Sequence, residues 1–174
     1  MSAATTFVPL YMKSLGASYF MSGLPLGVRA IGRFTFDAAA MVVAGRRITP
    51  ETMLVLGVSF AGIALLACGV FPGSHPVTAA FFFIGAGVAW VQVALRQIVF
   101  DGAESGRRGR ALGVLSIFLG SGPMIGIFFG GVISEYFGYP SMFVVAALIV
   151  LWLPLLLVRL SPGRAQPEGE KEPL

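Results

Sequence analysis

Residues 111–133 carry no charged side chain and follow directly on a basic run, Arg107-Arg108-Gly109-Arg110. A helix of that length covers about 35 Å at 1.5 Å per residue, enough to cross ~30 Å of hydrocarbon, and basic residues beside such a span stay on the cytoplasmic side. Within the run Gly122, Gly126 and Gly130 recur every fourth residue. Residues four apart share one helix face, and a face without side chains lets a second helix approach backbone to backbone. Lipid offers helices no hydrophobic reason to associate, so close approach has to supply it.

The rest of the chain agrees. Only 11% of residues are charged and 56% are hydrophobic, with a mean hydropathy of +0.86, whereas soluble domains carry about 25% charged residues. The expectation is an all-α, polytopic membrane bundle in which spans and short loops use nearly all of the 174 residues and leave no room for a soluble catalytic domain. The net charge of +4 follows from loop residues that orient the bundle and does not point to nucleic acid. Cys68 stands alone in an apolar run, which excludes a disulfide within the chain or a thiolate metal site and leaves it a packing residue. The start, Met1-Ser2-Ala3-Ala4, lacks the charged region of a cleavable signal peptide.

Residues 3–12 are apolar but cover about half a bilayer, so they read as the end of a helix whose beginning is missing, as in a fragment or truncated gene. Complete spans are expected over 19–44, 53–71, 77–100, 111–133 and 141–158, with turns at Pro72-Gly73-Ser74-His75-Pro76 and 134–140. The bundle is thus 1–158, and 159–174, rich in Pro, Gly and Glu, is expected to be a disordered cytoplasmic tail. Loop 45–52 holds two basic residues, loop 101–110 three and the tail three, while the alternate loops hold only Lys13. This alternation places the basic loops and the C-terminus in the cytoplasm, with Lys13, His75 and Glu135 outside.

These residues resemble one six-helix half of a major facilitator superfamily transporter. The resemblance rests on Arg108-Gly109-Arg110-Ala111-Leu112-Gly113, then Gly122, Gly126, Gly130-Gly131, Gly138 and Phe143, which look like the family's glycine-rich fifth or eleventh helix and the turn after it. Phe7-Val8-Pro9-Leu10-Tyr11 with Leu15-Gly16-Ala17 is similar to a first-helix end and its turn. Other positions depart. The family's gating loop between the second and third helices corresponds to Val42, Arg46, Arg47, Thr49, Pro50 and Glu51, of which only Arg47 matches. Phe81-Phe82-Phe83 stand before Gly85 and Gly87 where a first half often carries Arg, and Ile127 stands where the proton-antiporter pattern has Pro, with Pro123 displaced. Degenerate motifs of this kind fit helices seven to twelve better than one to six.

Arg29, Arg33 and Asp37 fall at i, i+4 and i+8, forming one stripe that cannot face lipid, since a charge at mid-membrane costs about 2.5–3.5 kcal/mol on insertion scales. The stripe either lines a path for an anionic substrate or for protons at Asp37, or Asp37 pairs with Arg33 and Arg29 is held by a partner or snorkels to a wet cleft. Gln92 and Arg96 are also four apart, on a span that in the family lines the central cavity; Arg96 reads first as an anchor at the cytoplasmic helix end. The resemblance implies a cytoplasmic gate in which Asp101 pairs with Arg46 or Arg47, beside Arg107, Arg108 and Arg110; the plainer alternative is a solvated charge worth at most ~1 kcal/mol. Gly122, Gly126, Gly130 and Gly131 serve static packing or a mobile interface, and Pro123 should bend that helix.

An enzyme is the rival class. Asp101-Gly102 with Arg107 is similar to the start of the metal-binding motif in membrane CDP-alcohol phosphotransferases, but no Asp follows Arg107, so a two-carboxylate site cannot be completed there. His75 is the only histidine, which excludes a two-histidine metal site and argues against a Ser-His-Asp triad. Ser105-Gly106 lacks the spacing of a phosphate loop. The expectation is therefore a half-transporter without catalytic residues, metal or cofactor, in a bacterial-style inner membrane. Its partners would be a small-molecule substrate, protons, and a second six-helix half or a homodimeric copy. The competing reading is a non-transporting membrane subunit or a decayed half.

Overall fold

The computed structural model describes residues 2–43, 48–71, 73–104 and 106–160, and its regular elements among these are helices. They are α1 (Ser2–Ser14), α2 (Tyr19–Val43), α3 (Pro50–Val70), α4 (Ser74–Gly102) and α5 (Arg108–Leu160). By length and composition α3, α4 and 108–152 of α5 can each cross a membrane, with mean hydropathies of 2.4, 1.8 and 1.9. The 25 residues of α2 are long enough as well, but they carry Arg29, Arg33 and Asp37. A helix satisfies its own backbone, which is why lipid turns apolar runs into helices whatever their propensity.

Local chemistry sets the ends. Gly16, at φ +78, lets the chain leave α1: its amide donates to the Lys13 carbonyl at 3.0 Å and the Ala17 amide donates to Met12 at 3.0 Å. These are the paired bonds of a Schellman stop, which favours glycine because a side chain resists positive φ. At the start of α3 the Thr49 hydroxyl accepts from the Thr52 amide, Pro50 needs no donor, and Glu51 suits the positive helix end.

The expected turn at 134–140 is corrected by the structure. Helix continues through 137 and resumes at 139, and the break is the single residue Gly138 (φ 80, ψ 166), a region of backbone space that is essentially glycine's alone. Pro123, where a bend is expected, keeps helical angles. The chain reverses at Gly138. Gly131 on the first arm, 108–137, meets Phe7 of α1, whereas the second arm, 139–160, runs antiparallel to α3, with Pro140 and Val144 at Gly69 and Leu151 at Gly62. Residues 159 and 160, expected in the tail, continue α5; 161–174 lie outside the described residues, as do Arg46 and Arg47.

α4 is the central helix, and two glycines facing different neighbours make it so. A Cβ on Gly87 would stand 2.5 Å from the Gly57 carbonyl oxygen, and one on Gly57 would stand 2.8 Å from that of Gly87. Gly85 approaches the backbone of α2 in the same way, meeting the Arg29 carbonyl and the Arg33 amide, while Gly32 of α2 meets the Phe82 carbonyl. Both crossings are therefore backbone to backbone. Near the Gly16 end, Val8, Tyr11 and Met12 of α1 pack with Leu65 and Cys68 of α3, Phe81 and Ile84 of α4, and Phe143 of α5; the Tyr11 and Phe143 rings lie 5.4 Å apart. Ala40, Met53 and Ala94 form a smaller cluster toward the other end. Consecutive helices among the described residues thus run in alternate directions between the two ends.

The first arm of α5 is almost bare, with Phe118 71% and Met124 74% exposed. In a bilayer such an apolar surface faces lipid or another helix rather than water. Gly87→Leu should lower the melting temperature of the purified chain in detergent, corresponding to about 1–3 kcal/mol of overpacking. Gly122→Leu, at a position with nothing within 4 Å, should leave that temperature unchanged.

Candidate functional site

The approach of α2 to α4 at Gly85 positions the charged stripe, because the backbone atoms that Gly85 meets belong to Arg29 and Arg33. With α2 held this close, the Arg33 guanidinium reaches across the seam, and its Nη2 donates to Gln92 Oε1 at 2.8 Å. Its Nε lies 3.5 Å from Asp37 Oδ2, one turn along the same helix. Arg33 is thus shared between a carboxylate on its own helix and an amide on the next. The side chains of Arg33 and Asp37 remain 44% and 32% exposed in the chain, so the seam opens on the flank of the bundle.

Arg29 behaves differently. Its Nη1 donates to Thr5 Oγ1 of α1 at 3.0 Å, which ties α1 to α2. Its Nε is buried with no acceptor. Trp90 Nε1 and Gln97 Oε1 on α4 are buried without partners as well.

Four of the five residues expected on the substrate or proton path, Arg29, Arg33, Asp37 and Gln92, therefore collect around α2 with contacts to α1 and α4. Arg96 is exposed and stands apart from the seam, with no ion pair among the described residues. Thr5 was not legible as a site residue, since its partner lies 24 positions away on another helix. Nor was the aromatic edge of the same seam. Phe36 meets Phe82 edge-on at 6.1 Å and Trp90 at a tilt at 6.3 Å, and Trp90 meets Phe60 at 6.4 Å. Trp90 and Gln92, two positions apart, sit on opposite sides of α4, so one seam has an aromatic edge and a charged edge.

Of the residues expected at the cytoplasmic gate, Asp101 and Arg110 are exposed. Arg107 pairs with Glu104 at 3.6 Å, both largely exposed, a contact worth at most ~1 kcal/mol. Arg108 lies 4.3 Å over the Phe100 ring and its Nε donates to the Ala103 carbonyl at 3.4 Å, fastening the start of α5 to the end of α4. The glycine stripe divides. Gly130 is buried and Gly126 partly so, and a Cβ on Gly131 would meet Phe7 at 3.4 Å, whereas Gly122 faces open space. Among the described residues no three His, Cys, Asp or Glu side chains gather as metal ligands would.

Two apolar hollows lie away from these charges. One of about 500 Å³ follows α2 past Tyr19, Gly23 and Gly27; the other, about 390 Å³, lies between α3 and α4 at Phe60, Ala64 and Phe83. Both are wide open and neither includes a charged side chain, so the chemistry of the site is carried by the seam.

The family model described as Major Facilitator Superfamily matches residues 1–174. The chain is 31% identical over 112 residues to the methylenomycin A resistance protein of Streptomyces coelicolor, covering 63% of this chain and 24% of that protein. It is 24% identical over 127 residues to the riboflavin transporter RibZ of Clostridioides difficile, covering 73% of this chain and 28% of the relative. With a multi-drug resistance efflux pump PmrA homolog of Lactococcus lactis it shares 26% identity over 177 residues, covering 90% and 39%. The match thus spans well under half the length of each relative.

A double-mutant cycle between Arg33→Met and Gln92→Leu, read from unfolding in detergent, should give a coupling of about 0.5–2 kcal/mol, the range for hydrogen bonds between membrane helices. Strictly additive effects would mean that the bond across the seam contributes nothing.

Proposed function

The chain belongs to the major facilitator superfamily, and on that premise we propose that its bundle works as one half of a secondary transporter that moves a small solute across the membrane by alternating access. The partner would be a second six-helix half, or a second copy of this chain, rocking against it around a site near the midplane. The observation that carries this reading is Arg33, held at once by Asp37 at 3.5 Å and by Gln92 at 2.8 Å. Ionisable groups inside spans are costly and collect where substrates or protons pass. A guanidinium with two holders on two helices can exchange one of them when the helices move.

In this reading Asp37 is the coupling residue. Protonation removes its charge and loosens its hold on Arg33, which keeps Gln92, so proton uptake and the contact between α2 and α4 are linked through one guanidinium. Export is the favoured direction, because two of the relatives are named for resistance or efflux; the riboflavin transporter makes import the alternative. The basic loops face the cytoplasm of a bacterial cell, and Asp101, exposed beside them, is the acid available for a latch on that side. The bare apolar arm of α5, including Gly122, faces the partner.

Efflux of carboxyfluorescein, an organic anion that does not cross lipid unaided, from proteoliposomes tests this. The chain reconstituted at no more than one copy per liposome should move none. With a complementary half, flux driven by a pH gradient should appear and fall about tenfold or more in Asp37→Asn, the equivalent of ~1.4 kcal/mol lost at one step. Transport by the chain alone, abolished by Asp37→Asn, would contradict the need for a second half.

A further inference from the structure

Resting on the transport reading, we infer that the site is built for an organic anion and that Arg29 is the residue that receives its carboxylate or similar planar anionic group. Arg29 is the eleventh of the 25 residues of α2, close to the middle of the span. The stripe holds two guanidinium groups and one carboxylate, and its acid is committed elsewhere, since Asp37 lies against Arg33 at 3.5 Å. Asp37 is also eight residues from Arg29, about 12 Å along the helix axis. The other acids among the described residues, Glu51, Asp101, Glu104 and Glu135, stand near helix ends or, for Glu135, close to the Gly138 reversal. The seam therefore carries one uncompensated positive charge at mid-membrane, where an unpaired charge is expensive.

The hydrogen bonds of Arg29 narrow the ligand further. Nη1 is occupied by Thr5 Oγ1 at 3.0 Å, while Nε is buried with no acceptor. What remains is the side-on edge made by Nε–H and Nη2–H, two parallel donors whose spacing matches the two oxygens of a carboxylate. A neutral solute could accept the Nε–H but would leave the charge uncompensated, and a cationic one would add to it. Because Nε is closed off from solvent, an anion reaches it only when α1 shifts or the Arg29 side chain swings away from Thr5. Binding is thereby coupled to release of the Arg29–Thr5 bond that ties α1 to α2. Arg33 stays with Asp37 and Gln92 and is the proton-sensitive member; Arg29, with no acid beside it, is the recognising member.

The test uses the full chain in nanodiscs of uncharged phosphatidylcholine, titrated with benzoate against benzamide and 1-naphthoate against 1-naphthamide. Binding is read from the ¹⁵N–¹H signals of the arginine Nε groups. Each carboxylate should bind about tenfold or more tightly than its amide, as expected for a hydrogen-bonded charge pair, and should shift the Arg29 Nε–H signal. Arg29→Gln should bring acid and amide within about twofold, and Arg29→Lys, which keeps the charge without the fork, should retain part of the preference. If neither pair discriminates in the unaltered chain, or if Arg29→Gln keeps the preference, the inference is wrong. It is equally wrong if no pair discriminates but Arg29→Gln weakens association with a second half, since the counter-charge then belongs to the partner. An Arg29-dependent carboxylate preference without flux through any assembled transporter would leave the anion site standing and remove the transport reading instead.

Discussion

The structure depends on two backbone crossings made by one helix. Gly87 lets α3 touch α4 and Gly85 lets α2 touch it on another side, each at a distance that no Cβ could share. In water the burial of Phe81, Phe143 and Leu65 would dominate such an assembly. In lipid those side chains are nearly as well solvated apart as together, so dispersion over closely matched surfaces and hydrogen bonds between helices carry more of the association. The Gly85 crossing does both. It packs α2 on α4, and it sets the backbone of Arg29 and Arg33 where their guanidinium groups reach Thr5 and Gln92.

This explains how a span with three charges is held. Each guanidinium is tied to a different neighbour, Arg29 to α1 and Arg33 to α4, and the acid is spent on only one of them. The arrangement cross-links three helices through polar groups while leaving the seam part-exposed. A static cross-link would be better served by an apolar contact of the same volume. A polar one, with an orphaned donor and a shared guanidinium, is suited to exchanging partners.

Much of this was legible in the sequence because lipid imposes a simple rule. Uncharged runs had to be helices, and the expected starts and ends at 19–44 and 77–100 differ from α2 and α4 by no more than a few residues. The turn at 134–140 was misjudged because Ser134, Glu135 and Pro140 suggest a loop, yet each sits comfortably in a helix near its end, so Gly138 alone makes the break. The i, i+4 spacing was enough to expect Arg33 beside Asp37. It could not reveal Gln92 or Thr5 as partners, since those contacts cross 59 and 24 residues and depend on which helices adjoin. The glycines show the same limit. The regular series at Gly122, Gly126 and Gly130 attracts attention, but among the described residues the tight backbone-to-backbone approaches use Gly32, Gly57, Gly85 and Gly87, and spacing within one helix does not say which glycine on another will answer it.

The central claim is that the close approach at Gly85 holds the charged seam together. The side-chain amide ¹⁵N–¹H signals of Gln92 report that directly, because its oxygen accepts from Arg33. In Gly85→Leu, with α2 pushed away from α4, those signals should move to the positions seen in Arg33→Met, while Gly122→Leu should leave them where they are. If the Gln92 signals in Gly85→Leu match the unaltered chain while still responding to Arg33→Met, the crossing does not set the site and the account fails.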